Sequence, residues 1–141
     1  RVKDARQTFL GIWVRNLIEG KPIKVFGDGL QLRDFNYVDD VVDALLIAAI
    51  NPKANGEVFN LGSTEYINLK NLAALLIEIF QGGTYEIVPF PSDLRAIDIG
   101  DNYSNYTKIN QTLGWSPRIL LKYGLKQTLE FFIQNRTHYW G

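Results

Sequence analysis

The chain contains no cysteine and no methionine, and its single histidine, His138, lies near the C-terminus. Without cysteine there is no disulfide, no thiolate nucleophile and no cysteine metal site. One histidine excludes a histidine metal cluster or a histidine dyad. An excess of charge of one sign is also missing: 15 basic residues balance 15 acidic ones. That balance gives no electrostatic footprint for nucleic acid or an anionic membrane, and neither is expected as a partner. No apolar run reaches membrane-spanning length, and nothing reads as a signal peptide, so a cytoplasmic location is expected. No repeat, low-complexity tract or long linker divides the sequence. It starts at Arg1 with no methionine anywhere, which leads to the expectation of a piece of a longer protein.

What is present suits one domain with a modest core, or part of a larger one: 141 residues, 46% apolar and 21% charged. Helical spacing of Leu10, Trp13, Val14, Leu17 and Ile18 predicts a helix over 7–19, closed by Gly20. Pro22 to Phe26 is β-prone, and Gly27-Asp28-Gly29 is a tight turn that calls for positive φ. A strand is expected from Leu32 to Tyr37, then a helix to about Ile50 capped by Asp39 or Asp40. The apolar stripe of that helix is broad enough to predict burial on two sides. Val58 to Leu61 reads as a buried parallel strand. A helix capped by Asn68 follows, then a turn at Gly82-Gly83 and a strand from Tyr85 to Val88 that Pro89 stops. Residues 89–104 read as an irregular loop. Asn105 is expected to cap a short helix ended by Gly114, and a last helix spans about Leu121 to Gln134. The fold class is α/β with mixed strands. The helices are too apolar for so small a sheet, so part of their surface expects a partner.

The most informative stretch is 26–41, FGDGLQLRDFNYVDDV. A glycine-flanked turn leads into a strand with Arg33 at its centre. Alternation places Gln31, Arg33, Phe35 and Tyr37 on one face and Leu32, Asp34 and Asn36 on the other. A guanidinium is a planar fork of donors that fits a phosphate bidentately, and anchored mid-strand it loses little freedom on binding. The plainer alternative is that Arg33 and Asp34 pair with neighbouring charges. Helix N-termini often hold phosphates, but Asp39 and Asp40 would repel one here, so an anion beside this strand must be held by arginine. In the 89–104 loop, Arg95 and Asp98 are candidates to act together, the acid orienting the guanidinium; a solvated loop is the alternative.

Other matches carry less. Tyr66 and Lys70 have Tyr-x-x-x-Lys spacing, but Tyr66 precedes the cap at Asn68, so the two do not share a helical face. No glycine fingerprint for a dinucleotide follows a strand and opens a helix. Tyr139-Trp140 reads as a packing anchor or a frayed end.

Residues 21–35 (KPIKVFGDGLQLRDF), 57–63 (EVFNLGS) and 107–117 (TKINQTLGWSP), in this order and spacing, resemble the nucleotide-sugar epimerases and dehydratases of the extended short-chain dehydrogenase/reductase family. The resemblance covers nearly the whole chain and is specific to the family, not to one member. It implies that residues 1–141 are the C-terminal, substrate-binding part of an extended Rossmann-type fold. The NAD-binding domain and the Tyr-Lys catalytic pair would lie in a preceding part, so no catalytic residue and no cofactor-binding residue is expected in this chain. By resemblance Arg33 contacts the diphosphate of a nucleotide sugar and Arg95 approaches it from the other side. Asp98 helps position the ribose or Arg95, Lys24 and Phe26 lie near the base, and Gln31 and Asn60 near the ribose–phosphate region. The implied parent is an NAD-dependent homodimer that transiently oxidises a sugar carbon to a keto intermediate. A UDP-sugar 4-epimerase is favoured over a 4,6-dehydratase or a UDP-glucuronate decarboxylase. A non-catalytic nucleotide-sugar-binding or regulatory module, and a scaffold for oligomer contacts, are the readings from other classes.

Overall fold

A computed structural model of the chain describes residues 8–92 and 99–140. Helix α1 (Phe9–Ile18) turns apolar residues Trp13, Val14 and Leu17 inward. It leads through a left-handed Gly20 into strand β1 (Ile23–Phe26). Strand β2 (Leu32–Asp34) and helix α2 (Val38–Ile50) follow, then a short 3-10 turn (Pro52–Ala54). Next come strand β3 (Tyr66–Asn68), helix α3 (Leu69–Phe80) and strand β4 (Tyr85–Val88). Helices α4 (Thr107–Leu113), α5 (Leu121–Gln134) and α6 (Arg136–Trp140) complete the described part. β1 and β4 run parallel, with Ile23 opposite Tyr85 and Phe26 opposite Val88. β2 and β3 form a separate antiparallel ribbon, with Arg33 opposite Ile67 and Asp34 opposite Tyr66. The mixed α/β class is as expected.

Two cores hold these elements. The larger joins α1, β1, α3 and α5 through Trp13, Leu17, Ile23, Val25, Leu72, Leu76, Leu125 and Leu129, all buried. The indole of Trp13 donates to the Lys24 carbonyl at 3.0 Å, tying α1 to β1. Trp140 stacks on Phe132 with ring centroids 5.4 Å apart, so the aromatic tail is a packing anchor. The smaller core gathers Ala44, Ile109 and Trp115 with the half-buried Ile47, Phe59 and Leu61. Its hub is Asp40, 2% exposed. The Asp40 carboxylate accepts the backbone N–H of Ile119 at 2.9 Å and of Arg118 at 3.1 Å, and its carbonyl accepts the Trp115 indole at 2.9 Å. A buried carboxylate needs such donors in place of water.

Five expectations are corrected. β2 stops at Asp34, short of Tyr37, because its partner β3 supplies only three residues for pairing. Val58 to Leu61 is not a strand: among the described residues no strand lies beside it, and Val58 is 78% exposed. Neither Asp39 nor Asp40 caps α2. The cap position is Tyr37 without a side-chain bond, because Asp40 is drawn inward to the 118–119 amides. Asn105 lies one residue before the cap position of α4, Tyr106, although its side chain does accept the Thr107 N–H at 2.8 Å. The expected cap at Asn68 is present, accepting from Asn71 N at 2.8 Å. The broad apolar face of α2 is not covered: Val38, Leu45, Leu46 and Ile50 are 60%, 64%, 60% and 83% exposed.

Candidate functional site

The turn between β1 and β2 is built to be rigid. Gly27 and Gly29 both take φ 72, a conformation that favours glycine. A Cβ on Gly29 would sit 2.7 Å from Val25 Cγ1 and 3.1 Å from Lys70 Cβ, so the chain passes between β1 and the start of α3 only because glycine is there. The Asp28 side chain accepts Leu30 N at 2.9 Å inside the turn. The first amides of α3 are used by the same turn: Lys70 N donates to Gly29 O at 2.9 Å and Leu69 N to Gln31 O at 3.2 Å.

This turn delivers Arg33 to the centre of β2, half-buried. Its Nη1 donates to the Leu32 carbonyl at 2.8 Å and to the Gly100 carbonyl. The segment around Gly100 is fastened to the same strand by further bonds. Leu32 N donates to the Asp101 carboxylate at 2.8 Å, and Asn102 N donates to the Leu32 carbonyl at 2.9 Å. Arg33 and Asn102 form a parallel bridge. Arg33 is therefore held against the stretch that directly follows residues 93–98. Arg95 and Asp98 themselves lie outside the described residues.

The other expected site residues divide. Phe26 and Lys24 share the outward face of β1, opposite the buried Ile23 and Val25. The Phe26 ring meets Phe90 at 5.8 Å, while the exposed Lys24 ammonium lies 3.9 Å from the Glu86 carboxylate. Gln31 and Phe90 flank Gly27: a Cβ there would lie 3.6 Å from Gln31 Nε2 and 3.4 Å from Phe90 Cδ2. Gln31 Oε1 is buried without a hydrogen-bond partner among the described residues, a polar atom that a ligand donor would satisfy. Phe26, Gln31 and Phe90 thus cluster about the turn. Asn60 is exposed on the extended 57–61 segment.

Sequence reading missed Asp34, Gly62 and the 100–102 segment. The Asp34 carboxylate accepts Ser104 N at 3.1 Å and Ser63 N at 3.2 Å, clasping two distant segments. A Cβ on Gly62 would lie 2.1 Å from the Ser104 carbonyl, so glycine is required for that approach. The Arg-Asp dipeptide was the available signal: one residue on each face of a strand, each committed to backbone. Tyr66 lies in β3 and Lys70 in the first turn of α3, so their spacing is coincidental as expected. Among the described residues no group of three acids or histidines is placed to hold a metal, and no helix is long and apolar enough to cross a membrane.

The sequence model of the NAD dependent epimerase/dehydratase family matches residues 1–62. Among curated proteins, the UDP-glucose 4-epimerase of Mycolicibacterium smegmatis is 32% identical over 123 residues, covering 87% of this chain and 38% of that protein. The dTDP-glucose 4,6-dehydratase of Neisseria meningitidis is 30% identical over 142 residues, covering 93% and 39%. Among solved structures, the UDP-glucose 4-epimerase of Thermotoga maritima with UDP-glucose matches with a TM-score of 0.77 and 33% identity, over 92% of this chain and 40% of that one. The chain spans about two fifths of the length of these relatives.

Proposed function

We propose, from this chain's membership of the NAD dependent epimerase/dehydratase family, that residues 1–141 form the C-terminal, nucleotide-sugar-binding part of such an enzyme. The observation that carries the reading is the fixed Arg33 guanidinium, held on a rigid ribbon against Gly100, next to the segment that contains Arg95 and Asp98. A diphosphate bound between Arg33 and Arg95 would gain charge-assisted, geometrically selective hydrogen bonds. Asp98 would orient Arg95 or the ribose. Phe26 offers a ring face to the base, with Lys24 beside it, and Gln31 Oε1 offers an unsatisfied acceptor to the ribose–phosphate region. Asn60 is assigned to that region by resemblance alone.

Among the described residues, neither the α2 nor the α3 N-terminus fits the pyrophosphate of NAD. At α2 the first turn carries Asp39 and Asp40, and a phosphate there would meet two carboxylates. At α3 the first amides are already given to Gly29, Gln31 and Asn68. No step through NAD is therefore assigned to this chain. In the proposed parent a Rossmann domain holds the cofactor, and its sheet covers the apolar face of α2 and pairs with the 57–61 segment, beside which no strand lies among the described residues. The relatives' remaining three fifths leave room for such a domain. The parent reaction is read as UDP-sugar 4-epimerisation through a keto sugar, with 4,6-dehydration or loss of carbon dioxide as the alternatives.

Backbone NMR during titration with UDP-glucose tests the site. Shifts are expected at Phe26, Gln31, Arg33, Gly100 and Asn102, without hydride exchange by the chain alone. Binding that leaves these amides unmoved, or turnover by the isolated chain, contradicts the proposal.

A further inference from the structure

The two faces of the β2–β3 ribbon differ in chemistry. Arg33 and Ile67 are paired on one face; Asp34 and Tyr66 are paired on the other. Above the second face lies a cleft of about 300 Å³, walled by Asp34, Ser63, Thr64, Tyr66, Tyr103 and Asn105 among others. That size falls at the lower end of small-ligand sites, roughly 300–1,000 Å³. Tyr66 and Tyr103 stack with centroids 5.4 Å apart and planes 24° from parallel. They nevertheless remain 63% and 57% exposed. Each ring spends one face on the other and keeps the remainder accessible.

The floor of the cleft is fixed. Asp34 clasps Ser63 N and Ser104 N, and Gly62 passes against the Ser104 carbonyl with no room for a side chain. Ser63 Oγ accepts Glu65 N at 3.2 Å, setting the turn that carries Thr64. Among the described residues no lysine or arginine lines the walls, and the charged group that does is a carboxylate. A phosphate-bearing ligand would meet repulsion without compensation. Aromatic faces beside neutral hydroxyls and an amide suit a ligand with one apolar face and a rim of hydroxyl groups.

We infer that this cleft is a binding site for a neutral pyranose ring, stacked on the Tyr66–Tyr103 pair and hydrogen-bonded by the serine, threonine and asparagine groups around it. The site lies on the ribbon face opposite Arg33 and takes an uncharged sugar, so it is independent of the diphosphate reading.

The test is backbone NMR of the full chain titrated with methyl β-D-glucopyranoside, and separately with UDP. The glycoside is expected to shift Thr64, Tyr66, Tyr103 and Asn105. Tyr103→Ala should weaken this binding about tenfold, equivalent to 1.4 kcal/mol. Tyr103→Phe, which preserves the stack, should retain it. UDP is expected to leave these four amides in place. No shift with the glycoside at millimolar concentration, equal shifts in Tyr103→Ala, or shifts gathered at Arg33 and Gly100 would overturn the inference. A failed glycoside titration with an intact UDP response would reject this site and leave the proposed function standing; the reverse result would do the opposite.

Discussion

The two cores are finished to different degrees. Around Trp13, Leu17, Leu72 and Leu76 the apolar surface is closed on every side by α1, β1, α3 and α5. Around Ala44, Ile109 and Trp115 it is closed on one side only. There α2 turns Ala44 inward and leaves Leu45, Leu46 and Ile50 in water, while the extended 57–61 segment has no pairing strand among the described residues. Scattered exposed apolar residues are ordinary; a contiguous helical stripe of this kind is what the proposed Rossmann domain would cover. The second core is held together by polar bonds through Asp40, where the first is held by area. The proposed Rossmann domain would add a sheet against this second layer.

The sharpest contrast comes from truncating one leucine in each region. Leu76→Ala, in the closed core, should destabilise the chain by about 2–5 kcal/mol in urea denaturation. Leu45→Ala, on the open stripe, should stay within about 0.5 kcal/mol. Equal losses would mean that the stripe is already covered in solution. Asp40→Ala should cost about 1–3 kcal/mol, since it leaves the Arg118 and Ile119 amides without their acceptor, and Asp40→Asn should recover part of this. The loss should be accompanied by a change at Trp115 and none at Trp13, read from indole N–H resonances.

A smaller effect belongs to the surface of the closed region. Hydrogen bonds from Lys21 and then Arg15 lower the Glu19 pKa from its ordinary 4.5 to about 2. The folded pKa lies below the unfolded one, so the contribution is complete above about pH 4.5 and is lost as the pH falls toward 2. Glu19→Gln should therefore flatten the melting temperature against pH in that window and do little at pH 7. An unchanged acid slope in the variant would show that Glu19 is not its source.

Local patterns were readable in the sequence, and long-range commitments were not. α1, α3 and α5 announce themselves because their buried faces repeat at helical spacing, and Gly27, Gly29 and Gly114 sit where positive φ is needed. β3 is only three residues long and leaves no periodicity to detect. Where β2 ends depends on that partner, so it was overrun. Asp40 follows the rule for a helix-start acid, yet its bonds reach 79 positions ahead to Ile119; the rule is local and the contact is not. The same holds at the site. Arg33 was legible as a cation fixed mid-strand, but its hold on Gly100 spans 67 positions, and the clasp at Asp34 joins segments 29 and 70 positions away.

The proposed site stands or falls on Arg33 holding a diphosphate. Calorimetric titration of the chain and of Arg33→Ala with UDP and with uridine separates the phosphate contact from any loosening of the 100–102 segment. The variant should lose about 1.5–3 kcal/mol toward UDP and nothing comparable toward uridine. An equal loss for both ligands, or none for either, would contradict it.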